Sequence, residues 1–179
     1  MTEIITENDL SFDFTKAVAV IKLDDTIDIS NFPSRLKSVD FIVEWEQSFW
    51  FVEVKDPLNP KIPLEHKKSQ EMNFSDKLQS NELFTEELGP KLKDSFFYCL
   101  LENLITFEKS LHYLALITSI DQEEAGYLSS KFEKSCYFPG PQGRPWQRAD
   151  LFINSPQLFN LESWNWHHPK CPVKRLSNA

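Results

Sequence analysis

The stretch that most constrains this chain runs over residues 39–55, Val-Asp-Phe-Ile-Val-Glu-Trp-Glu-Gln-Ser-Phe-Trp-Phe-Val-Glu-Val-Lys. Residues 39–45 and 49–54 are rich in β-branched and aromatic side chains, and Glu46, Gln47 and Ser48 break the run between them. That pattern predicts a β-hairpin. A hairpin this apolar belongs in the middle of a domain, yet it carries three charges, Asp40, Glu53 and Lys55.

Register decides whether those charges meet, because side chains alternate faces along a strand. A turn at Gln47 and Ser48 would pair Glu46 with Phe49, Asp40 with Lys55 and Ile42 with Glu53. Asp40 and Glu53 then become diagonal neighbours on one face, roughly 7–8 Å apart at the backbone. A slip of one residue would send them to opposite faces. Two carboxylates with the Val54 carbonyl form an oxygen donor set for a hard cation such as Mg2+, which binds at about 2.0–2.1 Å and keeps several waters. A water on such an ion is more acidic and can attack a phosphodiester, with Lys55 orienting it or stabilising developing charge. The competing reading is an edge strand with an exposed Glu-x-Lys ion pair, an arrangement worth little energetically.

Asp40, twelve intervening residues and then Glu53-Val54-Lys55 resemble the D-x(n)-(D/E)-x-K signature of the PD-(D/E)XK nuclease-like superfamily. Val39 stands where that signature nominally has Pro. The resemblance implies a restriction-endonuclease-like α/β fold, an α-β-β-β-α-β core with a central mixed sheet flanked by helices. It implies Asp40, Glu53 and Val54 as ligands of Mg2+ or Mn2+, Asp40, Glu53 and Lys55 as the catalytic set, and nucleic acid as the substrate. Some members of the superfamily are inactive, so a binding or regulatory module is the rival expectation.

With 179 residues, of which 41% are hydrophobic, the chain is expected to form one domain with a substantial core, residues 1–9 and 165–179 being terminal extensions. The net charge of −8 disfavours a protein that coats nucleic acid through a basic surface, though not an enzyme whose positive charge is local. Three widely spaced Cys residues, Cys99, Cys136 and Cys171, suggest neither a disulfide framework nor a zinc site. The acidic, polar start does not read as a signal peptide. No apolar run approaches the roughly 18 residues that would span a bilayer. The expectation is a cytoplasmic protein with reduced thiols and no membrane partner.

Around the hairpin, Phe14, Val18 and Ile21 recur at helical spacing behind a capping Asp13, which favours a helix over residues 11–25, with a strand over residues 17–23 as the alternative. The resemblance makes Asp24 or Asp25 at its end a candidate third acid, with a solvated helix end as the alternative. After Lys55, Asp56-Pro57 and Asn59-Pro60 stop the strand. His66, Lys67 and Lys68 form a local basic spot, read as a solvated helix face rather than a phosphate contact. Gly89-Pro90 signals a helix start, and Leu92, Phe96, Cys99 or Leu100, and Leu104 continue the period through about residue 107. Lys91 and Lys93 on its first turn are candidate substrate contacts, since a helix N-terminus favours an anion, and the resemblance adds Tyr98 further along. Exonuclease-like branches of the resembled superfamily carry Gln and Tyr four apart on this helix; here Asp94 precedes Tyr98.

Residues 110–120 read as a buried strand, and residues 122–134 as an amphipathic helix with Ala125, Leu128 and Phe132 on one face. Residues 137–148 form a Pro/Gly loop holding Arg144, Trp146 and Arg148. A strand over 149–154 and a short element over 158–164 follow. His167, His168 and Cys171 invite a metal reading, but adjacent histidines project apart, and an aromatic tail packed on the domain is the better account. Aromatics near Trp146 and Trp164 would serve a homodimer or protein interface, or else close the core.

Overall fold

The computed structural model describes residues 3–23, 36–137 and 153–178. Its centre is a five-stranded mixed sheet in the order β3 (Ala19–Lys22), β4 (Phe41–Glu44), β5 (Ser48–Lys55), β6 (Ser110–Ile117), β7 (Gln157–Phe159). The first three strands form an antiparallel meander, and β5, β6 and β7 run parallel. Parallel strands need a crossover connection. Here three elements between β5 and β6 supply it: α1 (Leu64–Ser80), a π-helical turn (Leu83–Leu88) and α2 (Gly89–Leu101). Helix α3 (Gln122–Ser135) lies between β6 and β7, and a capping box at Asp121 and Glu124 starts it.

Both faces of the sheet are covered. Phe49 and Phe51 of β5, with Leu111, Tyr113 and Ala115 of β6, pack against Leu88, Leu92, Cys99, Ala125, Leu128 and Phe132 of the helices. Trp50, Val52 and Val54 point the other way, toward Leu10, Phe12, Phe14 and Trp164. A strand buried on both sides reads as a continuous apolar run, which is what the β5 sequence shows. Glu53 therefore sits on the helix-facing side of a fully buried strand, in line with Phe49 and Phe51.

The second layer is a three-stranded sheet, β1 (Ile4–Glu7), β2 (Leu10–Asp13) and β8 (Val173–Arg175), with α4 (Leu161–His167) beside it. Three expectations are corrected here. The helix expected over residues 11–25 is replaced by β2 and β3, so the strand alternative for residues 17–23 was the better one. Leu10, Phe12 and Phe14 are buried at period two, while Val18, which the helical reading put inside, is exposed. Within the expected N-terminal extension, residues 4–7 are not loose, because β1 pairs with β2. The C-terminal tail is no appendage either: β8 pairs with β2, Trp164 is fully buried and closes the core, and Trp164 Nε1 donates to the Cys171 carbonyl at 2.9 Å.

Helix α1 contributes no buried residue and touches the core only through half-buried Phe74 and Leu78. His66 and Lys68 are exposed on it. No helix among the described residues is long and apolar enough to cross a membrane. The expected Pro/Gly loop, with Arg144, Trp146 and Arg148, lies outside the described residues, as do Asp24 and Asp25.

Candidate functional site

The hairpin turn comes one residue earlier than its polar break suggests. The Trp45 amide donates to the Ser48 carbonyl at 2.8 Å, leaving Glu46 and Gln47 as the loop, and Glu44 pairs with Phe49 and Phe41 with Val52. Relative to the expected register every partner moves by two positions, which preserves the face of each side chain. Asp40 therefore lies alongside Glu53 rather than diagonal to it, and the expected Asp40–Lys55 pairing does not form.

Asp40 is held at every backbone and one side-chain position. Its amide donates to the Val52 carbonyl (3.1 Å), its carbonyl accepts from the Leu23 amide (3.0 Å), and its Oδ2 accepts from the Val54 amide (2.6 Å). The Val54 carbonyl lies on the same strand edge as that amide. Helix α2 is pinned to the approach to β4 by two bonds, the Val39 amide to Ser95 Oγ and the Lys37 amide to Asp94 Oδ2, each 2.9 Å. Asp94, which stands where exonuclease-like branches of the resembled superfamily have Gln, is thus committed to the backbone.

Both acids are buried, Asp40 to 6% exposure and Glu53 to 1%. Their cation is Lys91, whose Nζ lies 2.7 Å from Glu53 Oε1 and 3.9 Å from Asp40 Oδ1. Lys55 Nζ lies 3.3 Å from the same Glu53 oxygen and 2.9 Å from Glu87 Oε2. Glu87 also accepts Lys77 at 2.6 Å. Glu53 Oε2 is buried with no hydrogen-bond partner. Loss of solvent, and then the Glu53 charge, push the Asp40 carboxyl well above its ordinary range. Loss of solvent likewise raises Glu53, opposed by Lys91 and Lys55. Lys55 is raised: burial lowers it, and the Glu53 and Glu87 charges outweigh that. Glu87 is lowered to about 2; burial works against this, and its bonds to Lys77 and Lys55 prevail.

Asp40, Glu53, Val54 and Lys55 come together as the sequence predicts, and Lys91 joins them. Lys91 is not an open phosphate contact, however, because its ammonium is spent on the acids. The anion argument for the start of α2 also falls. Leu88 is helical (φ −66°, ψ −43°), so the π-helical turn runs straight into α2 and leaves no free first turn. That turn sits immediately before Pro90, which has no N–H to give to a regular helix. Lys93 lies near Cys136 at the end of α3, and Tyr98 packs on the rim of the helix-side core. Neither forms part of the acid cluster as described.

Sequence reasoning missed Glu87 and Lys77. Glu87 stands four residues before Lys91 on one helical run, a spacing that places them side by side and was available as a signal. A cleft of about 220 Å³ opens here, lined by Lys55, Asp56, Gln70, Asn73, Lys77 and Glu87 among others. The His and Cys of the tail form no centre: His168 packs among Trp50, Phe159 and Trp164, and Cys171 is a buried free thiol.

A metal has a partial donor set in this cluster. No group of three or more His, Cys, Asp and Glu suited to an ion occurs among the described residues. The orphaned Glu53 oxygen, the Asp40 oxygen that has only a long contact to Lys91, and the Val54 carbonyl fit a hard cation that retains waters. No protein-family model, curated protein or solved structure matches this chain.

Proposed function

We propose that this chain is a metal-dependent phosphodiesterase of the PD-(D/E)XK type, acting on nucleic acid in the cytoplasm. The observation that carries the reading is the pair of buried carboxylates side by side at β4 and β5, one with an oxygen that no described residue satisfies. Burying ionised groups costs several kcal/mol each, and well-packed apolar residues would serve stability as well or better. Perturbed acids in such a setting are candidates for chemistry. The order of elements supports the reading too: an antiparallel meander β3-β4-β5, then helices ending in α2, then β6 parallel to β5, is compatible with the β-β-β-α-β order that a restriction-endonuclease-like core would have. The leading helix of that core has no counterpart in β1 and β2.

Asp40, Glu53 and the Val54 carbonyl would hold Mg2+ or Mn2+. When bound, the ion supplies charge at the phosphoryl oxygens and a more acidic water. Lys55, already aimed at Glu53 and steadied by Glu87, orients the attacking water or offsets developing charge. With a net charge of −8, affinity for nucleic acid rests on the metal and a few local cations rather than on a basic surface.

A second reading is favoured by one observation, the closure of the cluster on itself. Lys91 neutralises the acids and Glu87 neutralises Lys55, which suits a binding module that keeps the architecture without turnover. The discriminating experiment incubates single- and double-stranded DNA and RNA oligonucleotides with the full chain in Mg2+ or Mn2+. The enzyme reading expects cleavage, abolished in Glu53→Gln and reduced about 100-fold or more in Lys55→Ala. Intact oligonucleotides under every condition would leave the binding module standing.

A further inference from the structure

We propose that Lys91 occupies two positions in the working cycle: it is the resident counter-ion of Asp40 and Glu53 while no metal is bound, and a ligand of the substrate phosphate once a divalent ion takes its place. This rests on the phosphodiesterase reading and adds the order of events at its site.

The geometry points to replacement rather than coexistence. The Lys91 ammonium sits against Glu53 Oε1 and within reach of Asp40 Oδ1, between the two groups that a metal would join. An ion bound to these oxygens at about 2.0–2.1 Å would meet that ammonium at close range, and their charges repel. The resident cation is also an incomplete partner. It satisfies one Glu53 oxygen and leaves Oε2 buried and unpaired, whereas a divalent ion in its place, with the waters it retains, would engage both oxygens of the carboxylate.

Lys91 is built to move. Its backbone is fixed on α2 next to buried Leu92 and within one turn of the anchors at Asp94 and Ser95, while its side chain keeps 19% exposure and a flexible four-carbon stem. Displaced, the ammonium stays tethered a few ångströms from the metal, where the phosphate of a substrate must lie. Lys55 is not equivalent, because Glu87 retains it.

The test is Mn2+ titration of the full chain by calorimetry, for wild type, Lys91→Met, and Lys91→Gln as a second variant that keeps a polar tip. Removing the competing charge is expected to tighten Mn2+ binding about tenfold, within the usual range for coupled sites. Adding Asp40→Asn to either variant should abolish the gain. In a second measurement at saturating Ca2+, a single-stranded phosphorothioate oligonucleotide should bind several-fold more weakly to the variants than to wild type. Equal or weaker Mn2+ binding in both variants, still lost with Asp40→Asn, overturns the proposal and leaves the metal site intact. Unchanged oligonucleotide affinity overturns the second position of Lys91. No Mn2+ binding in any variant overturns both the proposal and the reading beneath it.

Discussion

Strand β5 ends between two buried charge clusters that differ in one respect. At Asp56 every oxygen is answered: Arg175 donates to both carboxylate oxygens (3.1 and 2.7 Å) and Thr118 Oγ1 adds a third bond (2.5 Å). Arg175 also lies 3.7 Å from Asp9, whose Oδ2 accepts from the Ser177 hydroxyl and amide at 2.6 and 3.2 Å. Three residues earlier, Glu53 has an unanswered oxygen and shares one ammonium with Asp40. The first cluster ties the two chain ends to the central sheet and is complete as it stands. The second is stabilised only in part, and on the proposed reading its incompleteness is where a cation would bind. Burial alone does not separate a structural ion pair from a functional one; the orphaned carboxylate oxygen is what sets the second cluster apart from the first.

The contrast breaks most visibly at Arg175. Arg175→Met should cost about 3 kcal/mol in urea denaturation, the low end of what removing one partner of a buried pair costs, because Asp56 is left charged and enclosed. Next in size is Gly89→Ala. A Cβ there would lie 2.5 Å from the Ser135 carbonyl oxygen of α3, so α2, which carries Lys91, must shift. Overpacking of this sort costs about 1–3 kcal/mol, and the loss is expected to come with altered Mn2+ affinity.

Smaller still is Asp40→Asn. Asn keeps an oxygen for the Val54 amide, and the metal-free protein should stay within about 1 kcal/mol of wild type at neutral pH. The variant sharpens the comparison through pH. The folded values of Asp40 and Glu53 are raised, so their contribution is full below the ordinary carboxylate range and is lost as pH rises through the folded values. Wild type without metal should therefore lose stability from about pH 4 upward, and Asp40→Asn should flatten that slope. Glu87 runs oppositely: lowered from 4.5 to about 2, it contributes above pH 4.5 and ceases to as pH falls toward 2. Glu87→Gln should cost roughly 0.5 kcal/mol at neutral pH, in keeping with a partly exposed ion pair, and remove that acid limb.

The sequence made the middle of the domain legible. Hairpin, α2, β6 and α3 each carry a long, contiguous period, and Ala125, Leu128 and Phe132 are buried as their spacing requires. The ends were not, because short strands leave weak local signals. Phe14, Val18 and Ile21 matched a helical period by coincidence while Leu10, Phe12 and Phe14 held the true alternation. Arg175 meets Asp56 across 119 positions, a pairing no window along the chain contains. In the site, strand parity placed Asp40 and Glu53 on one face even with the turn misplaced. Lys91 was singled out for the right neighbourhood, but its carboxylate partners were not foreseen, since which groups a lysine meets depends on tertiary packing.

The most direct single measurement is chemical denaturation of wild type and the double variant Asp40→Asn/Glu53→Gln, each with and without Mn2+. A site reserved for a cation predicts that the double variant is about as stable as metal-free wild type and indifferent to Mn2+. Wild type should gain stability with Mn2+, about 2.7 kcal/mol at a hundred times Kd. A double variant several kcal/mol less stable than wild type, with neither protein responding to Mn2+, would make the acid pair structural like its neighbour at Asp56 and contradict the assignment.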